Sequence, residues 1–233
     1  MIGRKRKKAA PAQAEEGHLS PAADTPPKSA PPEPQLSQRD GGPHDITEVE
    51  QQDPHEASRL DLGALQLPLI EQMEIRIEVD PESEEPVGLL VVLQDGMAQL
   101  RIFAAPRSGG GWAESREQIR RSLTGGGATI DERDGEFGAE LHATVQVTDD
   151  EGRTGMQRMR FIGIDGPRWM LQATLYGAGA LPEQAGPLED VVRSVVVVRG
   201  DAAMPPGTPL LLTLPERVPD NFETTIESGD DAQ

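Results

Sequence analysis

Apolar and polar positions change their period several times along the middle of the chain. Met73-Glu74-Ile75-Arg76-Ile77-Glu78-Val79 alternates apolar and charged residues, the two-residue period of a strand with one wet face. Asp80 to Pro86 reads as a turn, and Val87 to Leu93 is almost wholly apolar, as a central strand would be. Gln94-Asp95-Gly96 is a hairpin signal, with Ala98 to Ala104 as the returning strand. Beyond Pro106 to Gly111 the period lengthens. Trp112, Ser115, Ile119 and Leu123 predict an amphipathic helix of about three turns, stopped by Gly125-Gly126-Gly127.

Four more strands are expected at Ala128 to Arg133, Phe137 to Val147, Met156 to Ile164 and Trp169 to Tyr176. Turn residues separate them at Asp134-Gly135, Asp149 to Gly152 and Asp165 to Arg168. Pro182 to Ser194 predicts a short second helix through Leu188, Val191 and Val192, and the unbroken Val195 to Val198 predicts a last strand buried on both faces. Leu60, Leu62, Leu65 and Leu67 mark an entry segment covering the core edge, and Leu210, Leu211, Leu212 and Leu214 a final edge strand. Strands joined by tight turns are antiparallel. The expected fold class is therefore α+β, a single mainly antiparallel sheet with two helices packed on it. That order of elements is similar to the PsbP-type fold of extrinsic photosystem proteins.

Composition divides the chain into three. Residues 1–58 hold nine prolines and almost no clustered aliphatic residues, so they are expected to be a disordered tail. That tail begins with the basic run Arg4-Lys5-Arg6-Lys7-Lys8 and continues Pro-rich and acidic. Residues 59–214 are the expected globular α+β domain, and 215–233 a second, acidic disordered tail. Lysine and arginine number 22 against 40 acids, a net charge of −18. The central segment is itself negative, which disfavours nucleic acid as the partner of the core. Arg4 to Lys8 offer at most a weak contact with an anionic membrane surface. No apolar run approaches the roughly 20 residues of a transmembrane span, and none follows the basic start as in a signal peptide. The expected location is the cytoplasm.

Candidate chemistry is sparse. The chain has no cysteine, which excludes disulfides, thiol mechanisms, iron–sulfur clusters and thiolate zinc sites. Of four histidines only His142 lies in the central segment, in mid-strand, with no G-x-S-x-G motif nearby. The acidic pairs Glu84-Glu85, Asp149-Asp150 and Asp230-Asp231 fall in turns or tails. No metal-ligand spacing, cofactor motif or catalytic residue is assigned. The candidate anion or partner surface is Arg107-Ser108-Gly109-Gly110-Gly111, together with Asp165 and Arg168. A helix start presents unpaired backbone N–H groups, glycines allow close approach, and Arg107 adds a charged donor. No Lys-Ser/Thr pair follows, so this is not a Walker loop; the plain alternative is a loop entering a helix. Arg168 is expected in solvent or in a salt bridge with Asp165, and Trp169 in the core.

Three blocks carry a family resemblance: Phe103-Ala-Ala-Pro-Arg-Ser-Gly-Gly-Gly-Trp112, Arg160-Phe-Ile-Gly-Ile-Asp-Gly-Pro-Arg-Trp-Met-Leu171 and Ser194-Val-Val-Val-Val-Arg-Gly200. Together they resemble the actinobacterial family known as domain of unknown function 3710, over residues 59–214. The resemblance implies a bacterial cytosolic protein without an assigned activity, cofactor or catalytic residue. The expected function is a non-enzymatic binding or adaptor module for a protein or small-anion partner. The alternative is an accessory factor or enzyme acting on phosphorylated metabolites such as nucleotides through the same loop. Whether the chain has any catalytic activity stays open at this point.

Overall fold

The computed structural model describes residues 41–49, 59–94, 96–149 and 151–214, with the backbone of 222–223. The expected disorder of the outer tails and the basic run Arg4 to Lys8 lie outside the described residues. Strands β1 (His44–Asp45), β2 (Arg59–Asp61) and β3 (Leu65–Pro68) come first, then β4 (Glu74–Val79), β5 (Pro86–Leu93) and β6 (Gly96–Ala104). Helix α1 (Gly111–Gly125) precedes β7 (Thr129–Gly135), β8 (Gly138–Thr148), β9 (Thr154–Gly166) and β10 (Trp169–Gly177). A 3-10 turn (Ala178–Ala180), α2 (Gly186–Ser194), β11 (Val196–Val197) and β12 (Phe222–Glu223) follow.

Seven of these strands form one antiparallel run in the order β4-β5-β6-β10-β9-β8-β7, and the short β12 lies parallel to β4 at its edge. A second, four-stranded sheet has the order β1-β11-β3-β2. The expectation of a single sheet carrying two helices is thereby overturned: the chain is mostly β, with two sheets and two helices. The likeness to the PsbP-type order of elements, drawn for a single sheet with two helices, falls with it. The physical reason lies in the small sheet's strands, which are two to four residues long. So short a strand shows no measurable alternation, and β11 finds its partners far away in sequence, Val196 pairing with His44 and Gln66.

Strand parity decides the packing. Ile75, Ile77, Leu89, Val91, Leu100 and Ile102 share one face of the large sheet and pack with Leu60, Leu62, Leu65 and Leu67 from the small sheet and with Leu188, Val191 and Val192 of α2. Val195 and Val197 belong to the same cluster, which explains their unbroken apolar run. The opposite face is covered by α1, where Trp112 packs with Leu141, Ala143, Phe161 and Met170. Trp112 rests on Gly163, where a Cβ would overlap its ring, and its indole N–H donates to the Ala139 carbonyl at 2.7 Å. Leu210 to Leu214 form isolated bridges in place of the expected edge strand, Leu212 to Gly63 and the neighbouring Pro209 to Phe103, while Leu210 and Leu212 are buried in the core.

Trp169 is fully buried and joins the two sheets. Its indole N–H donates to Asp45 Oδ2 at 2.7 Å, while Asp45 Oδ1 accepts from the Thr47 N–H at 2.9 Å and from its hydroxyl at 2.6 Å. Residues 41–49, upstream of the boundary expected at position 58, are thus tied to the core through a buried carboxylate. Among the described residues, no helix is long and apolar enough to cross a membrane.

Substituting Trp169→Phe keeps a ring in the core but leaves Asp45 Oδ2 without its indole donor. We expect urea unfolding to show a loss of about 1–3 kcal/mol, the range for a buried acceptor deprived of a partner.

Candidate functional site

Gly163 and Asp165 lie on the same face of β9, two residues apart. Because Trp112 seats on Gly163, the first turn of α1 is drawn to the end of that strand, beside Asp165. Asp165 Oδ1 accepts the Trp112 backbone N–H at 3.0 Å and would stand 3.0 Å from a Cβ on Gly111. A carboxylate from a distant strand therefore occupies the helix start, in the role that an N-cap side chain plays in other helices. The helix has no side-chain cap of its own, since Gly110 fills the cap position with φ 86°. An incoming anion would meet this fixed negative charge.

The Asp165 to Trp169 turn holds two further segments. Arg168 adopts φ 64°, a left-handed conformation unusual for a residue with a Cβ. Its carbonyl accepts the Ala105 N–H at 2.9 Å and the Arg199 Nε–H at 3.0 Å. Its guanidinium donates to the Gly200 carbonyl at 2.9 Å and stands 3.9 Å from Asp201. The expected Arg168–Asp165 salt bridge is corrected accordingly: the left-handed turn directs Arg168 towards Gly200 while Asp165 serves α1. Gly166 is required because the Trp169 ring lies where its Cβ would be. The buried Arg199 also donates to the Ala202 carbonyl at 3.1 Å.

The candidate residues thus divide. Asp165 meets the helix start at Trp112 and Gly111, while Arg168, three residues on in the same hairpin, bonds to Ala105, Arg199 and Gly200. Arg107, Ser108 and Gly110 remain exposed, with Gly109 (φ 70°) closing a turn through its N–H to the Pro106 carbonyl at 3.1 Å. Sequence reasoning missed Arg199, although it sits inside one of the recognised blocks.

It also missed a buried charge cluster beneath α2. Arg160 and Glu140 are both 1% exposed. Arg160 Nε donates to Glu140 Oε2 at 2.6 Å, its second nitrogen donates to Oε1 at 2.9 Å, and its remaining terminal nitrogen lies 2.6 Å from Glu189 Oε1. That last contact is an ion pair rather than a well-aligned hydrogen bond. Burial pulls the Arg160 pKa down, but Glu140 and Glu189 more than offset it and hold the guanidinium charged. Gly135 makes room, since a Cβ there would overlap the Glu140 carboxylate. His142 Nε2 stands 3.4 Å from Glu140 Oε2, with its side chain largely buried. Burial pushes the His142 pKa below its ordinary 6.5; Arg133 and Arg160 add to that and Glu140 opposes it. Among the described residues, no three His, Asp or Glu side chains gather into a metal-ligating group.

Residues 42–221 match the model of the family described as "Protein of unknown function (DUF3710)", and the chain belongs to that family. No curated protein matches it.

Two outcomes test the buried cluster. Arg160→Met leaves two carboxylates without their cation and should cost about 3–5 kcal/mol of stability in denaturant titration. The unfolded chain binds the His142 proton more tightly than the folded one, so stability should fall as pH drops from about 7 towards 5. His142→Gln should flatten that part of the stability–pH curve.

Proposed function

We propose that this member of the DUF3710 family is a cytoplasmic, non-enzymatic binding module whose partner is a protein, contacted through the exposed loop Arg107-Ser108-Gly109-Gly110 beside Arg168. The single observation that carries this reading is the Asp165 carboxylate at the start of α1. It already accepts an N–H of the helix start, the very group that a phosphate or other small anion would need. The protein reading is thereby favoured over the anion reading and over turnover of phosphorylated metabolites. The loop is short, anchored at both ends and carries an exposed arginine, the geometry of a recognition loop on a rigid scaffold. Arginine in that position suits an acidic or aromatic counterpart on a protein surface. The polar groups around it are engaged in holding the scaffold, as with the part-exposed Arg168 on Gly200 and the buried Arg199 on Ala202.

The test compares the full chain with Arg107→Glu, a substitution at an exposed position. A protein retained by the immobilised wild type from its native lysate should be lost by the variant, with the melting temperature unchanged. Inorganic phosphate and nucleotides should leave wild-type melting unshifted. Equal retention by both chains would remove the proposed surface, and a nucleotide-induced shift abolished by Arg107→Glu would favour the metabolite reading instead.

A further inference from the structure

β5 and β6 separate before either ends. Their pairing runs from Leu93 opposite Gly96 to Gly88 opposite Arg101, which leaves Pro86 and Val87 without a partner on β6. On the other side Glu78 faces Gly88 but Val79 faces Pro86, a bulge that leaves Val87 over. The segment around Leu210 takes the vacated place. Pro209 bridges Phe103, the Leu210 N–H donates to the Ile102 carbonyl, and the Leu212 N–H donates to the Pro86 carbonyl, both at 2.8 Å. Where these irregularities meet they leave a cavity of about 260 Å³. Its apolar wall is Val79, Pro81, Val87, Phe103 and Pro209, and Glu78, Asp80 and Arg101 complete the lining.

The charged members of that lining are already satisfied. Arg101 donates to Glu78 from Nε at 2.9 Å and from a terminal nitrogen as well, a bidentate pair. Gln99 donates to Glu78 Oε1 at 2.9 Å. Gly88 gives the pair its room, because a Cβ there would stand 2.8 Å from Glu78 Oε2 and 2.9 Å from Arg101 Cγ. Asp80 Oδ1 accepts the N–H groups of Glu82 and Ser83 at 3.0 and 2.9 Å and is bound into its own turn. A phosphate would have to displace Glu78 from Arg101. The cavity calls instead for an uncharged group with apolar surface. Its volume falls below the roughly 300–1,000 Å³ of small-molecule sites and suits one large side chain.

Phe103 links this cavity to the exposed loop. It packs against the Trp112 cluster under α1 while also lining the cavity. Arg107 is four residues further on, so no more than about 14 Å separates their Cα atoms. Arg107 is exposed and belongs to none of the ion pairs of the described residues. We propose that the cavity is the anchor pocket of the protein-binding surface, and that its occupant is an aromatic side chain of the partner, carried on an extended segment with a carboxylate within four residues of it. The inference rests on the protein-binding reading of the Arg107 loop and adds the partner's chemistry. The walls favour a flat ring: two proline rings, the Phe103 ring and a planar guanidinium held in place by Glu78. Charge selects the flanking residue, because Arg101 has a carboxylate of its own and Arg107 has none. An extended segment advances about 3.3 Å per residue, so four residues span the distance from the cavity to Arg107.

The probe is a blocked heptapeptide of sequence EGGWGGE, with EGGAGGE and KGGWGGK as controls, titrated to about 5 mM into the isotope-labelled full chain and read by amide chemical shifts. EGGWGGE should shift the amides of residues 78–80, 87 and 101–103 with a dissociation constant of about 1 mM. Each control should bind about tenfold more weakly. Val87→Trp fills the cavity, and Pro81→Glu charges its rim at an exposed turn position; both should abolish the shifts. No shift with EGGWGGE, or equal shifts with EGGAGGE, would overturn the proposal. A lysate protein lost by Arg107→Glu but retained by both cavity variants would also overturn it, while leaving the loop reading in place.

Discussion

One backbone oxygen, the carbonyl of Arg168, accepts hydrogen bonds from Ala105 in the loop before α1 and from Arg199 after β11. Around it, Asp165 reaches the start of α1 and the Arg168 guanidinium reaches Gly200. Two segments remote in sequence are fixed by this one hairpin, and the left-handed backbone of Arg168 is what lets its carbonyl and side chain both serve. At about 0.5–1.5 kcal/mol each, four such bonds are comparable with a substantial fraction of a domain's net stability. Their geometry matters more than their sum, because they hold the Arg107 loop on a fixed base.

The next residue extends the constraint to the second sheet. Trp169 carries the hydrogen bond to Asp45 and so ties β1 to the large sheet, while the glycine before the turn leaves room for its ring. Beneath α2, Arg160 binds Glu140 and Glu189 together, linking β8 and β9 to the helix that follows. Such a cluster confers specificity of docking more than stability, because desolvating three charges opposes their attraction. The fold thus places its buried polar groups at joints between elements. What it leaves exposed is a short arginine-bearing loop, the surface on which the proposed recognition role rests.

The local sequence was informative where a pattern runs long enough to have a period. The strands from Glu74 to Ala104, the helix after Gly111 and the strands from Thr129 to Gly177 were all legible in alternation, helical spacing and turn residues. The second sheet was not, because His44–Asp45 and Val196–Val197 are two residues each and find each other only in three dimensions. The candidate site was half legible. The glycine–arginine loop and the Asp165 to Arg168 turn were singled out, and they do come together. That Asp165 caps a helix 53 residues upstream was not legible, because no local rule foretells it. The Arg160 cluster escaped notice because a single charge in a strand looks solvated until its cross-strand and helical partners are known.

The central claim is that the Asp165 to Trp169 hairpin holds the loop before α1 and the segment after β11 as one unit. Amide hydrogen exchange on the Asp165→Ala variant tests it most directly. The account predicts faster exchange for residues 105–112 and 199–202 together, with the rest of the sheet unchanged. Acceleration confined to the hairpin itself, with the other two segments as protected as in wild type, would contradict it.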